Sequence, residues 1–220
     1  MFERDAQMFL DRYLNGAMPE SLFLVHARPW PRYQSDYRGL VELARERRWP
    51  VVAANVPRPI ATMVARGGFE SLDTLAAESK PMLAGERQCP VNDDYAKAFW
   101  EELKGPSAHG GGSAADVDAR IGRMYLAQCL KDETMSESVV RAATGRLVIH
   151  YTGSFHSDYR RGTAERIERR NGNLAVGVVS FRPVADLDQL DPRPERKRGD
   201  YLVYVLKPPA EKPAAEPANP

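Results

Sequence analysis

The chain has 220 residues, 43% hydrophobic and 28% charged, with 31 basic against 30 acidic side chains and a net charge of +1. That length supports one sizeable core with at most a small appendage, and the balanced charge argues against a nucleic-acid binder or a protein held on an anionic membrane by charge alone. No run approaches the ~20 apolar residues of a bilayer span, and the start lacks the basic-then-apolar pattern of a secretory signal, so the chain as it stands is expected to be soluble.

In chain order, Phe2, Phe9, Leu10, Tyr13 and Leu14 recur at helical spacing and predict an amphipathic helix over 3–15, closed by Gly16 and Pro19. A second helix is expected over Pro19–Val25, followed by an exposed proline-rich loop that carries Tyr33 and Tyr37. Leu40, Val41 and Ala44 mark a third helix. The run Val51–Ala54 then reads as a buried strand, with Asn55 and Arg58 in the loop at its carboxyl end. Ile60–Ala65 is helical. From about Ser71 to Val139 helices alone are expected, at Tyr95–Leu103 and Asp116–Val139, separated by a Gly/Ser-rich linker. Strands are predicted at Leu147–Tyr151 and Val176–Phe181, with a helix over 163–169 between them and a last, edge strand in "DYLVYVL". The Pro/Ala/Glu-rich tail is expected to be disordered. The fold class is therefore α/β: a mainly parallel sheet flanked by helices, with a small helical subdomain. Residues 1–70 and 140–207 would form the core, 71–139 a helical insertion and 208–220 the tail.

Cys89 and Cys129 form no CxxC and have no nearby histidine, and two buried free thiols are favoured over a disulfide. His156 follows a strand within a Gly-Ser-Phe-His turn, where strand-end residues of a parallel sheet collect, so it should meet Asn55 and Arg58 at one sheet edge. An imidazole there could bind metal or move protons, and Arg58 could hold a carboxylate or phosphate. The alternative is a histidine that only binds a loop carbonyl. On the helix 116–139, Ile121, Met124, Tyr125, Gln128, Asp132 and Met135 share one face, and the two polar members either brace backbone or line a cleft. Phenolate suits ferric haem, which draws attention to Tyr33, Tyr37 and Tyr159 among nine tyrosines; each is otherwise an amphipathic tyrosine with a wet hydroxyl. The basic run Arg193–Arg198 reads as a solvated loop. No GxGxxG, P-loop, HExxH or GxSxG is present.

Four segments, "MFERDAQMFLDRYLNG", "YRGLVELARERRWPVVAANVPR", "YLAQCLKDETMSESV" and "IHYTGSFHSDYRRGT", resemble successive blocks of the ChaN-like haem-binding uptake proteins of the Tiki superfamily, in that family's order and over roughly residues 1–181. The resemblance implies haem binding in bacterial iron uptake, attachment to the cell envelope as a lipoprotein, and a cleft marked by two Gly-x-x-His elements. Gly153–His156 resembles the second. The family's first element, a strand ending in Gly-Glu-x-His, would precede Met1, so the chain is expected to begin inside the domain.

Two functions follow. In the first, the protein binds haem without catalysing a reaction, with Tyr37, Tyr159 and then Tyr33 as candidate ligands, His156 and Arg58 nearby, and a homodimer holding cofactor between protomers. The second, by analogy with erythromycin-esterase-like relatives, is a metal-dependent hydrolase using Glu3, Asn55, Arg58, Asp132 and His156, with His156 on a divalent metal. A degenerate paralogue with neither activity is the third outcome.

Overall fold

The computed structural model describes residues 1–104 and 113–207; the expected Gly/Ser linker lies mostly, and the expected disordered tail wholly, outside them. Seven α-helices are described: α1 (Gln7–Leu14), α2 (Glu20–Ala27), α3 (Arg38–Glu46), α4 (Arg58–Gly67), α5 (Asp94–Lys104), α6 (Ala114–Ala142) and α7 (Thr163–Arg170). Strands β1 (Val179–Val184) and β2 (Tyr201–Leu206) complete the set. The class is mixed α/β, with a sheet smaller than the sequence suggests.

Helix α6 is the axis of the molecule. It opens on a reciprocal capping box in which Ser113 and Asp116 each bond the other's backbone N–H, satisfying donors that a helix start otherwise leaves bare. Over Leu130 to Ser136 almost every side chain is buried, because α4 packs on one side and α7 on another. Met124, expected on the inward face, is instead exposed one turn above the packed stretch. Leu130 and Ala127 join Val56, Ile60, Val64 and Leu83 in one apolar cluster, while Phe2, Leu10, Tyr13, Phe23 and Val41 form a second between the N-terminal helices. A third holds Tyr95 and Tyr125 with Phe99, Trp100 and Phe155.

The two cysteines, expected as free thiols, are joined in a disulfide with 5.9 Å between their Cα atoms. The loop before α5 folds back along α6 and brings Cys89 against Cys129, a proximity that their separation of 40 residues hides. Such a bond closes a long loop and restricts the unfolded chain.

Strands are where expectation and structure part. β1 and β2 pair in parallel from Val179 opposite Tyr201 to Val184 opposite Leu206, so the expected strand at Val176–Phe181 is shifted toward its C-terminal end. The expected strand at Val51–Ala54 forms no ladder, the one parallel bridge there pairing Glu3 with the next residue, Asn55, and Leu147–Tyr151 likewise lies outside any ladder. A strand is completed by a neighbour's hydrogen bonds, not by its own alternation, and neither segment has that neighbour among the described residues. Leu147 is consequently 89% exposed and Ile149 65%. No helix of the described residues is long and apolar enough to cross a membrane.

Candidate functional site

Asp132 and Gln128 stand one turn apart on α6 and face α5, the start of α7 and the turn 153–162. Asp132 is fully buried. Its Oδ1 accepts a hydrogen bond from Thr163 Oγ1 at 2.7 Å and lies 2.7 Å from His156 Nδ1, and its Oδ2 accepts from the Tyr95 hydroxyl at 2.5 Å. Burial alone would raise the carboxyl's pKa, but His156, through its charge and its hydrogen bond, together with Arg166 and Tyr95, more than offsets that and holds Asp132 below its ordinary value. Burial and then the Asp132 charge push the Tyr95 phenol up, which keeps it a donor. In the neutral form of the ring, His156 Nδ1 is the donor to Asp132 and Nε2 the acceptor nitrogen, with the Gln128 amide nitrogen 3.2 Å from Nε2 and 3.3 Å from Nδ1. An imidazole so oriented by a buried carboxylate can accept a proton from a substrate or water.

The turn that delivers His156 is tightly wound. His156 N–H donates to the Gly153 carbonyl at 2.9 Å, and Gly162, at φ +59°, passes so close that a Cβ there would meet the His156 carbonyl oxygen at 2.7 Å. Only glycine fits. Beneath the pair, Arg166 sits 5.2 Å from the Tyr95 ring centroid and donates to the Gly162 carbonyl and to Glu133. Glu133, also fully buried, takes Arg166, Arg169 and Arg170 together with the Gln88 N–H.

Glu3, Asn55 and Arg58 form a second group. Glu3 is buried and accepts from Arg58 Nε at 3.0 Å, with Arg28 at 3.4 Å, while Asn55 bridges it through backbone. Arg58 also rims an open depression of about 790 Å³ with Thr62, Met63 and Arg66. Between the two groups stands Lys131, whose pKa burial lowers, with Asp132 opposing and Arg58 adding to that shift. Burial above all, with His156 adding to it, pushes His150 down to about 4, against the pull of Asp132. Its Nε2 is buried without a hydrogen-bond partner. Among the described residues, no group of three or more His, Cys, Asp or Glu side chains is placed to hold a metal ion.

The three tyrosines differ sharply. Tyr33, expected in an exposed loop, is 2% exposed, because the π-helical turn Tyr33–Tyr37 folds its ring onto Phe2 and Phe23; burial raises its phenol's pKa and leaves the hydroxyl unpartnered. Tyr37 is half-buried, edge-on to Trp30 at 5.9 Å. Tyr159 is 40% exposed and held at φ +60°, next to Arg160 at φ +58°. Two guanidinium groups flank its ring, Arg161 at 5.2 Å and Arg198 at 5.1 Å from the centroid.

Sequence reasoning passed over Tyr95, His150, Thr163 and Arg198. Thr163 and His150 sit within or beside the quoted Gly-Ser-Phe-His stretch, so proximity in sequence was a usable signal for them. Tyr95 lies 37 residues from Asp132 and Arg198 belongs to a run read as solvated loop; only tertiary packing brings them in. A family model described as "Haem-binding uptake, Tiki superfamily, ChaN" matches residues 1–167, a span that contains both groups and Tyr159. No curated protein and no solved structure matches the chain.

Proposed function

Because the chain belongs to the ChaN haem-binding uptake family of the Tiki superfamily, we propose that it binds ferric haem and that Tyr159 is the iron ligand, with Tyr37 second. The observation that carries the assignment is the contrast among the tyrosines: Tyr33 is sealed in the core, Tyr37 leans on Trp30, and Tyr159 stands exposed on a strained turn between two guanidinium groups. An accessible phenol is a suitable donor to ferric iron, and flanking positive charge favours the negative charge a bound tyrosinate carries. Strained backbone is retained where a side chain must be aimed. Haem, when bound, supplies the iron for which the phenol competes; the protein supplies the ligand and its setting.

Haemin titration tests this. The wild type is expected to give a Soret band with a high-spin ferric tyrosinate spectrum, Tyr159→Phe to lose that signature with an unchanged far-UV circular dichroism spectrum, and Tyr37→Phe to keep it. An unchanged spectrum in both single variants and the double variant overturns tyrosine ligation.

The Asp132–His156 contact of 2.7 Å favours a second reading. In it, His156 Nε2 serves as general base in a hydrolase, oriented by Asp132, with Glu3, Asn55 and Arg58 positioning substrate. Ester turnover that disappears in His156→Asn, measured with and without a chelator, supports this reading and reports any metal dependence. Absence of turnover in the wild type removes it.

A further inference from the structure

The turn carrying Tyr159 is pinned against the loop before β2, where the Tyr159 N–H donates to the Arg198 carbonyl at 2.6 Å. This contact joins the ends of two basic stretches, Arg160–Arg161 and Arg193–Arg198, at the backbone. Their cations divide into two kinds. Arg160 is saturated by Glu168, Asp200 and the Val176 carbonyl, Arg198 by Asp158 and Glu195, and Arg193 by Asp191. Those residues brace the turn. Arg161 touches the Tyr159 ring, and among the described residues neither it nor the exposed Arg196 and Lys197 has a carboxylate partner. The unpaired positive charge therefore falls on three side chains: Arg161 against the ring of the one exposed candidate ligand, and Arg196 and Lys197 within two residues of Arg198, whose guanidinium lies on the same ring.

We propose that Arg161, Arg196 and Lys197 form a carboxylate-binding rim of the Tyr159 site that takes the propionate groups of haem. The inference rests on the haem reading above and adds the orientation of the ligand: propionates toward the basic rim, iron toward the phenol. Guanidinium and ammonium groups without internal partners bind a carboxylate without first breaking an existing ion pair, which Arg160 and Arg198 would have to do. Arg161 has a double part, since the guanidinium that stacks on Tyr159 keeps N–H donors at its edge for a carboxylate.

The experiment compares haemin with haemin dimethyl ester, in which iron is kept and both propionates are neutralised, on the wild type, Arg161→Gln and the double variant Arg196→Gln, Lys197→Gln. The wild type is expected to bind haemin about tenfold or more tightly than the ester, and each variant to lose about tenfold in haemin affinity; in the double variant ester affinity and the tyrosinate spectrum stay as they were, whereas Arg161→Gln, which also takes a guanidinium from the Tyr159 ring, shifts the spectrum as well. Equal affinity of the wild type for both porphyrins, with the Tyr159-dependent spectrum present, overturns the rim and leaves the haem reading standing. Variants that bind haemin like the wild type overturn it as well. Failure of the wild type to bind either porphyrin overturns the haem reading and the rim together.

Discussion

The two sides of the molecule invert the usual arrangement of polar and apolar residues. Along α6 the centre is charged, with Asp132 and Glu133 fully buried and ringed by Thr163, Tyr95, His156 and three arginines. At β1, β2 and the segment 147–151 the surface is apolar, and Phe181 and Tyr201 face outward with Leu147 and Ile149. The difference shows what each kind of backbone can do alone. A helix closes its hydrogen bonds within itself and can be surrounded by side chains of any chemistry that are mutually satisfied, whereas an extended segment depends on a neighbour for its hydrogen bonds and for cover on its faces. Stability in this chain is therefore concentrated on the helical side, around a polar network that tolerates no missing member.

The sharpest way to break that contrast is at Glu133. Glu133→Leu removes the counter-charge of Arg166, Arg169 and Arg170, and is expected to cost about 3–5 kcal/mol in denaturant unfolding; a loss under about 1 kcal/mol would mean that the buried network does not hold α7 on α6. Next comes His150, whose folded pKa of about 4 lies below its ordinary 6.5. A histidine kept neutral by folding contributes stability that is complete above pH 6.5 and is lost as pH falls toward 4, on the order of 3 kcal/mol at most. Stability curves of the wild type and His150→Leu should diverge over that window, the variant being flatter; parallel curves would place the ring in water. The smallest effect belongs to the apolar side. Leu147→Ser with Ile149→Ser should change stability by no more than about 0.5 kcal/mol per site and reduce self-association by light scattering. A large loss would show that this segment is covered and not exposed.

Legibility followed the same division. Helices α1 to α7 were readable because the 3.6-residue period, the proline stops and the glycine closures act within each segment; α6 runs past its expected ends by a few residues through the Ser113 cap. Val51–Ala54 and Leu147–Tyr151 carry good strand chemistry, yet their pairing depends on chain elsewhere. At the site, the four-residue spacing of Gln128 and Asp132 and the turn holding His156 were legible as separate signals. Their meeting with Tyr95, the pairing of Cys89 with Cys129 and the folding inward of Tyr33 are long-range events with no local trace. The expected exposure of Tyr33 rested on its neighbouring prolines, which shape the turn without deciding which way the ring faces.

The left-handed backbone at Tyr159 has a consequence for how this turn would fare under selection. A bulky residue at φ +60° is disfavoured by about 1 kcal/mol relative to glycine or asparagine, which enter that region readily. In a saturation library sorted only for folded protein, position 159 should drift toward Gly and Asn, while position 162 stays Gly because nothing larger fits beneath the His156 carbonyl. The same library sorted for retained porphyrin should hold tyrosine at 159 against that drift. The enrichment ratio between the two sorts then measures, at a single codon, how much foldability the chain gives up to keep a phenol in that place.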